Sequence, residues 1–277
     1  MFFVFHKPCN VFSNKAIRQI GRELSTKKIG HTGTLDPLAS GLMLLASHED
    51  TKLLQYITHK EKTYIAECEF FYTSISLDNY NCNPQFTGKV EFSLKQLQSV
   101  IEQVSQQKEQ IPPQLSAKKI NGKRAHELLR KNEQFQLKPQ PIKIHYLKLL
   151  TFDQDSYKAR FEMKISQGGY VRSILRDIAS ALGTTCVMTN LVRTKIGNIS
   201  LDDLTQNQYK EISFEKLINL PYFEIDNHAE SKLKHGNEFD IKKDNGKYLI
   251  VKNSQIISIG EVKNNKYYPK RVFNERF

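Results

Sequence analysis

The order of apolar and polar positions sets out the elements first. Phe2 to Phe5 is an apolar run that predicts a short strand, and Leu42 to Ala46 predicts a buried one. Residues 63–72 and 157–166 read as longer strands. In the second, Tyr157, Ala159, Phe161, Met163 and Ile165 are interleaved with Lys158, Arg160, Glu162, Lys164 and Ser166. One face is therefore apolar and the other mostly charged. Helical spacing is present over 14–24, where Ile17, Ile20 and Leu24 share a side and Ser13 or Asn14 is the expected N-cap. It returns over 94–104, with Leu94, Leu97, Val100, Ile101 and Val104 on one side and Ser93 as the expected cap. A further helix is predicted over 170–182, closed by Gly183.

Two segments break this rhythm. Residues 110–141 carry four prolines and a dense set of bases, and read as an insertion with a short helix near 124–131. After Pro221 the chain turns to short strands separated by turn residues, Asp244-Asn245-Gly246 and Asn264-Asn265. We therefore expect a main domain over 1–221 and a small β-rich domain over 222–277.

Composition narrows the partners. The 277 residues hold 41 Lys and Arg against 29 Asp and Glu, a formal net charge of +12, which favours a polyanionic partner without saying which. Hydrophobic residues at 39% suffice for a packed core. No run approaches the ~20 apolar residues of a membrane span. The N-terminal apolar run is too short for a secretory signal, so a cytoplasmic protein is expected. Cys9, Cys68, Cys82 and Cys186 lie far apart with no CxxC pair, which argues against a zinc knuckle and against a disulfide framework.

The most informative segment is Gly30-His31-Thr32-Gly33-Thr34-Leu35-Asp36-Pro37-Leu38-Ala39-Ser40-Gly41. Pro37 biases Asp36 to extended backbone, and the flanking glycines allow close approach of a ligand. An apolar strand follows at once, so a carboxylate is presented on a constrained loop at the mouth of a sheet. Read in isolation, Asp36 is equally the start of an Asp-Pro turn.

The whole string resembles the signature of TruB-type tRNA pseudouridine synthases, in which the Asp is catalytic. Further segments resemble the family in the same order. Lys7-Pro8 with Ser13-Asn14 is similar to its N-terminal motif, and Lys62-Thr63-Tyr64 to the strand bearing its active-site tyrosine. Ile111-Pro112-Pro113, Ser116-Ala117-Lys118-Lys119 and Gly122-Lys123-Arg124 are similar to its RNA-clamping insertion. Ser166 to Ile174, containing Gly169-Tyr170-Val171-Arg172, is similar to the segment bearing its arginine, and Leu191-Val192-Arg193 to the stretch lining the uracil pocket. Three positions depart from the pattern. Asn10 replaces a glycine, and asparagine tolerates a left-handed turn. His126 replaces a tyrosine, and an acidic stretch of the family is reduced to Thr73-Ser74-Ile75-Ser76-Leu77-Asp78.

The resemblance implies an α+β pseudouridine synthase fold, with a mixed sheet and flanking helices, a basic inserted thumb and a small C-terminal PUA-like domain. It implies conversion of uridine to pseudouridine in the T arm of tRNA, at position 55, after base flipping. That chemistry is neither redox nor phosphoryl transfer, so no cofactor and no metal are expected, and the chain is expected to act as a monomer on tRNA with no membrane partner. Asp36 would act at the ribose or base, and covalent attack at the sugar, addition to uracil C6 and a glycal route all remain compatible. Arg172 is the expected partner of Asp36, since a guanidinium keeps its charge and binds a carboxylate through two hydrogen bonds. From pattern alone it reads as a helix-surface arginine. Tyr64 would stack on uracil, or else be a core tyrosine. Leu191 would form an apolar wall of the pocket, or be plain core. His31 would fill the space left by the flipped base, or simply hydrogen-bond in its loop. Lys7 would support the loop or a phosphate, and Tyr170 is expected at the substrate. Lys118, Lys119, Lys123 and Arg124 would contact phosphates, or be a solvated face. Two other functions compete: a non-catalytic tRNA-folding protein on the same scaffold, and a carbohydrate hydrolase. The hydrolase needs a second acid with its own motif, and none is found.

Overall fold

Burial alternates with period two along residues 64–70 and 158–165, whereas 40–47 is buried at every position. The computed structural model describes residues 1–120, 122–201 and 204–277. The chain folds as two units: 1–55 with 59–212, and 56–58 with 213–277.

Among the described residues of the first unit, nine strands form one sheet. They are β1 (Phe2–Lys7), β2 (Ile29–His31), β3 (Ser40–Ser47), β4 (Lys62–Phe70), β5 (Ile144–Asp153), β6 (Lys158–Ile165), β7 (Cys186–Ile196), β8 (Ile199–Ser200) and β9 (Tyr209–Ile212). The order is β5-β6-β4-β7-β3-β1-β9, with β8 on β7 and β2 on β3. The β7–β3 pair is parallel, while β1–β3, β4–β6 and β4–β7 are antiparallel. The sheet is thus mixed, and the fold is α+β.

The helices are α1 (Ser13–Glu23), α2 (Leu94–Ser105), α3 (Ala125–Arg130) and α4 (Val171–Ala181). The apolar faces of α1, α2 and α4 join the strands in one core that includes Phe3, Phe5, Ile17, Leu45, Leu97, Phe161 and Ile174. Each such side chain contributes about 1.5–3 kcal/mol when fully buried. Helix α2 is capped as expected, Ser93 and Gln96 forming a reciprocal capping box. Gly183 closes α4 with φ +72°, in the left-handed region. No described helix is long and apolar enough to cross a membrane.

Three local expectations need correction. The N-cap of α1 is Phe12, which makes no side-chain cap. Ser13 is instead buried, and its hydroxyl donates to the Leu35 carbonyl at 2.7 Å while accepting from the Leu35 N–H at 3.0 Å. The long-range bond to the loop outcompetes the local cap. The segment 30–41 begins as strand rather than loop, because β2 pairs with β3 through Gly30↔Ala46 and His31↔Leu45. Tyr157 lies outside β6, at φ +50°.

The basic insertion makes a hairpin, Lys119–Ile120 against Lys123–Arg124, leading into α3. In the second unit, β10 (Tyr222–Phe223), β11 (Phe239–Asp240), β12 (Gly246–Lys252), β13 (Gln255–Lys263) and β14 (Lys266–Val272) form a sheet in the order β10-β12-β13-β14-β11. Helix α5 (Asn227–Lys234) adds Leu233 to a core with Phe223, Ile250, Val262 and Tyr267. Both residues of the Asn264-Asn265 turn have positive φ, 50° and 60°, as a tight two-residue hairpin requires.

In the first unit's sheet, close strand approach demands a glycine at position 41. Gly41 has φ +113°, and a Cβ there would lie 2.4 Å from the Arg193 carbonyl oxygen across the parallel pair. Gly183 also has positive φ but has open space around it. Gly41→Ala is expected to cost at least about 3 kcal/mol, from backbone strain plus overpacking. Gly183→Ala should cost about 1–2 kcal/mol. Urea unfolding of the two variants checks the order, and equal losses would contradict it.

Candidate active site

Three strands carry a buried cation on their core faces near one end of the sheet. On β1 the series is Phe3, Phe5, Lys7; β4 starts Lys62, Tyr64, Ala66; β7 runs Leu191, Arg193. Sheet register aligns several of these residues. Lys7 pairs with Gly41, Gly41 with Arg193, and Arg193 with Tyr64, so one row crosses β1, β3, β7 and β4. The loop 32–40 lies at this end of the sheet.

That loop has little regular structure, so side chains satisfy its backbone. Lys7 is fully buried, and its Nζ donates to the carbonyls of Pro8 and Val11 at 2.7 Å and of Pro37 at 3.3 Å. Arg193, 1% exposed, donates from Nε to the Leu42 carbonyl at 2.6 Å and from Nη2 to the Gly33 carbonyl at 3.1 Å. Ser13 holds Leu35 as described, and the Ala39 N–H closes a turn on the Asp36 carbonyl at 3.1 Å. Asp36 is thereby fixed from both sides.

Its carboxylate meets Arg172 in the first turn of α4. Arg172 Nε donates to Oδ2 and Nη2 to Oδ1, both at 2.9 Å, a bidentate pair. The remaining guanidinium protons go to carbonyls: Nη1 to Ser76 at 2.6 Å, and both Nη1 and Nη2 to Leu115 at 3.2 Å. Arg172 is 5% exposed, whereas the Asp36 side chain keeps 30% of its surface open. A charge this buried is tolerated because every donor has a partner. The eroded acidic stretch still serves the site through the Ser76 backbone. Asp78 there is buried, and burial pushes its carboxyl up from the usual range against the pull of Ser76 and Arg172.

The other expected site residues fall into two groups. Tyr64 and Leu191 are buried in the main core, 6% and 3% exposed. Burial raises the Tyr64 hydroxyl, and neighbouring Arg193 pulls it down. His31 is half-buried; its Nδ1 accepts the Gly33 N–H at 3.2 Å, and burial lowers its pKa, so the ring is held neutral. Tyr170 precedes α4, and its backbone N–H and carbonyl are both taken by the Gln110 side chain, at 2.8 and 3.1 Å. Of the two roles expected for Lys7, loop support or phosphate contact, its buried position and the three carbonyls on its ammonium fit the first. Lys118, Lys119, Lys123 and Arg124 are exposed on the inserted hairpin, where Lys119 pairs with Arg124. Lys118 donates to Gln140 at 2.8 Å, and Gln140 donates to the Gly168 carbonyl at 2.7 Å, tying the insertion to the turn before α4.

A cleft of about 470 Å³ opens beside Asp36, between α1 and the loop; Arg172, Tyr64 and Leu191 are not among its walls. Among the described residues no three His, Cys, Asp or Glu side chains gather as a metal site would need. Sequence reasoning missed Arg193 as a loop support, although it falls in phase with a buried strand face; Lys62, also buried, donates to the Lys60 carbonyl at 3.0 Å.

Residues 21–171 match the N-terminal domain of the TruB family of pseudouridylate synthases. The chain is 33% identical to the tRNA pseudouridine synthase B of Mycoplasma mobile over 277 residues, all of this chain and 96% of that one. It is 32% identical to the protein of the same name from Aquifex aeolicus, over 96% of each. Its fold is also that of a chain in the crystal structure of a Cbf5-Nop10-Gar1 complex, with TM-score 0.68 at 20% identity, covering 98% of this chain and 84% of that chain. The chain therefore belongs to the TruB family and is a pseudouridine synthase.

The buried lysines make a pH prediction. Burial brings Lys7 and Lys62 down from 10.5 to about 8. Between pH 8 and 10.5 the unfolded chain then holds more protons than the folded one, so stability rises with pH, by up to about 1.4 kcal/mol per unit for each lysine. Urea unfolding of wild type and Lys62→Met from about pH 7 to 10 should show wild type gaining on the variant above about pH 8. A constant difference would contradict the burial of a charged Lys62.

Proposed function

We propose that this protein converts uridine to pseudouridine in the T arm of tRNA, at position 55. The observation that carries the reading is the bidentate Asp36–Arg172 pair beside a cleft, with the arginine buried and the carboxylate partly open. The relatives' shared name supports tRNA as the substrate class. The T-arm position comes from the resemblance of the Gly30–Gly41 loop and its companion motifs.

The reaction is an isomerisation. The C1′–N1 bond breaks, the uracil turns, and C5 bonds to C1′; the C5 proton is lost and N1 regains one. Asp36 supplies the carboxylate that acts at the ribose or base while positive charge develops on the sugar. Arg172 holds both carboxylate oxygens in one orientation, which a lysine point charge does not do. A uridine inside a folded arm must be extruded at a cost of a few kcal/mol. Tyr64 stacks on the flipped uracil, Leu191 walls its pocket, His31 fills the vacated space, and Tyr170 borders the site. Since Tyr64 and Leu191 are buried, uracil entry requires local movement around them. Lys118, Lys119, Lys123 and Arg124 meet phosphates from the exposed hairpin.

Mass-shift mapping of pseudouridine on unmodified tRNA transcripts tests the reaction and its position together. Wild type should modify one T-arm uridine; no modified uridine would refute the reading, and modification elsewhere would refute the position. Asp36→Ala should bind the transcript and leave turnover at background. Arg172→Lys should lose at least about 100-fold in single-turnover rate, as expected for a misplaced reacting group. Near wild-type rates in Asp36→Ala would refute the catalytic assignment of Asp36, whereas a folding role on the same scaffold predicts that Asp36→Asn leaves the cellular phenotype intact.

A further inference from the structure

Helix α1 carries a charge pattern that the site above does not use. Lys15, Arg18 and Arg22 stand at i, i+3 and i+7, which places them on one face. The opposite face, Ala16, Ile17, Ile20 and Gly21, is buried. All three cations are exposed, and among the described residues no carboxylate forms an ion pair with any of them. The helix holds a single acid, Glu23, which accepts from Gln19.

For the helix alone only Arg22, in the last turn, complements the helix dipole. Lys15, a cation in the first turn, opposes it, and like charges three and four residues apart repel. The helix itself gives no reason for Lys15 and Arg18 to join Arg22 on one face. A ligand does, because these side chains share a wall with the reacting carboxylate. Lys15, Arg18, Arg22 and Asp36 all line the same cleft of about 470 Å³. Phe12 stands at the head of that wall, 58% exposed, and meets Tyr80 edge-on at 6.3 Å. An exposed aromatic beside a row of bases suits a nucleotide strand better than it suits water. Lys15 to Arg22 spans about 10 Å along the helix axis. Over such a rise one strand of a duplex presents about three phosphates.

We propose that this face of α1 is a phosphate track. Lys15, Arg18 and Arg22 bind the backbone of the nucleotides flanking the target uridine and align the strand on Asp36. The inference rests on the reading of RNA as substrate and adds a second contact surface, separate from the inserted hairpin. The three residues are positioning residues, acting on binding and not on the bond-breaking step.

The experiment compares wild type with Lys15→Ala/Arg18→Ala/Arg22→Ala on an unmodified tRNA transcript, reading Kd across a salt series and the single-turnover rate at saturating RNA. The variant should bind about 10-fold or more weakly at about 0.1 M salt. Its plot of log K against log salt should be shallower by about 2–3, from about 0.9 per lost duplex phosphate contact. Its saturated rate should stay within about twofold of wild type, and its thermal midpoint should hold. Arg18→Lys/Arg22→Lys should retain most of the affinity, since a phosphate accepts a point charge. Unchanged Kd and salt slope with an active wild type would overturn the track alone. A fall in saturated rate with unchanged Kd would overturn it too, by assigning these residues to the chemistry. A wild type that leaves uridine unconverted would refute the functional reading, and the track with it.

Discussion

The guanidinium of Arg172 is the junction on which the site depends. It draws acceptors from three distant segments: the carboxylate of Asp36, the carbonyl of Ser76 and the carbonyl of Leu115. A loop of the main sheet, the eroded acidic stretch and the start of the insertion are all tied to the first turn of α4. Five N–H groups in a fixed planar fork make this possible, and no other side chain offers them. The pair has an asymmetric environment. Its cation is enclosed and fully hydrogen-bonded, while its anion keeps an open side towards the cleft. Reactivity is thus left on the carboxylate and rigidity on the arginine.

A second constraint lies beneath it. A loop that presents a carboxylate near substrate gives up the ladder that would satisfy its own carbonyls. Here Lys7 and Arg193 replace that ladder, donating to Pro37 and to Gly33 from two strands. Burying them costs desolvation, visible in the lowered pKa of Lys7 at about 8. The cost is offset by directional bonds from rigid strands, which hold the loop more tightly than solvent would. Gly41 lets β3 and β7 approach closely enough for Arg193 to reach.

The insertion is bound into the same frame. Gln110 grips the backbone of Tyr170, and Gln140 bridges Lys118 to Gly168. Both links end at the turn that launches α4. The basic hairpin and the helix bearing Arg172 therefore share anchors, so the segment carrying most exposed charge is mechanically continuous with the segment positioning the carboxylate.

Much of this was legible along the chain. Period-two alternation marked β6, Ser93 marked the start of α2, Gly183 marked the end of α4, and the Gly30–Gly41 string marked Asp36. These signals are local, set by backbone preferences and near-neighbour packing. Pairing Asp36 with Arg172 required the family's pattern, since 136 positions separate them. What only tertiary structure decided was the use of each polar side chain at the sheet end. Ser13 serves Leu35 rather than its own helix, and Lys7 holds three carbonyls rather than a phosphate. Arg193 and Lys62 turn inward although their residue types favour water. The physical reason is that a buried donor answers to whichever acceptor the fold brings within about 3 Å, and sequence distance carries no record of that meeting.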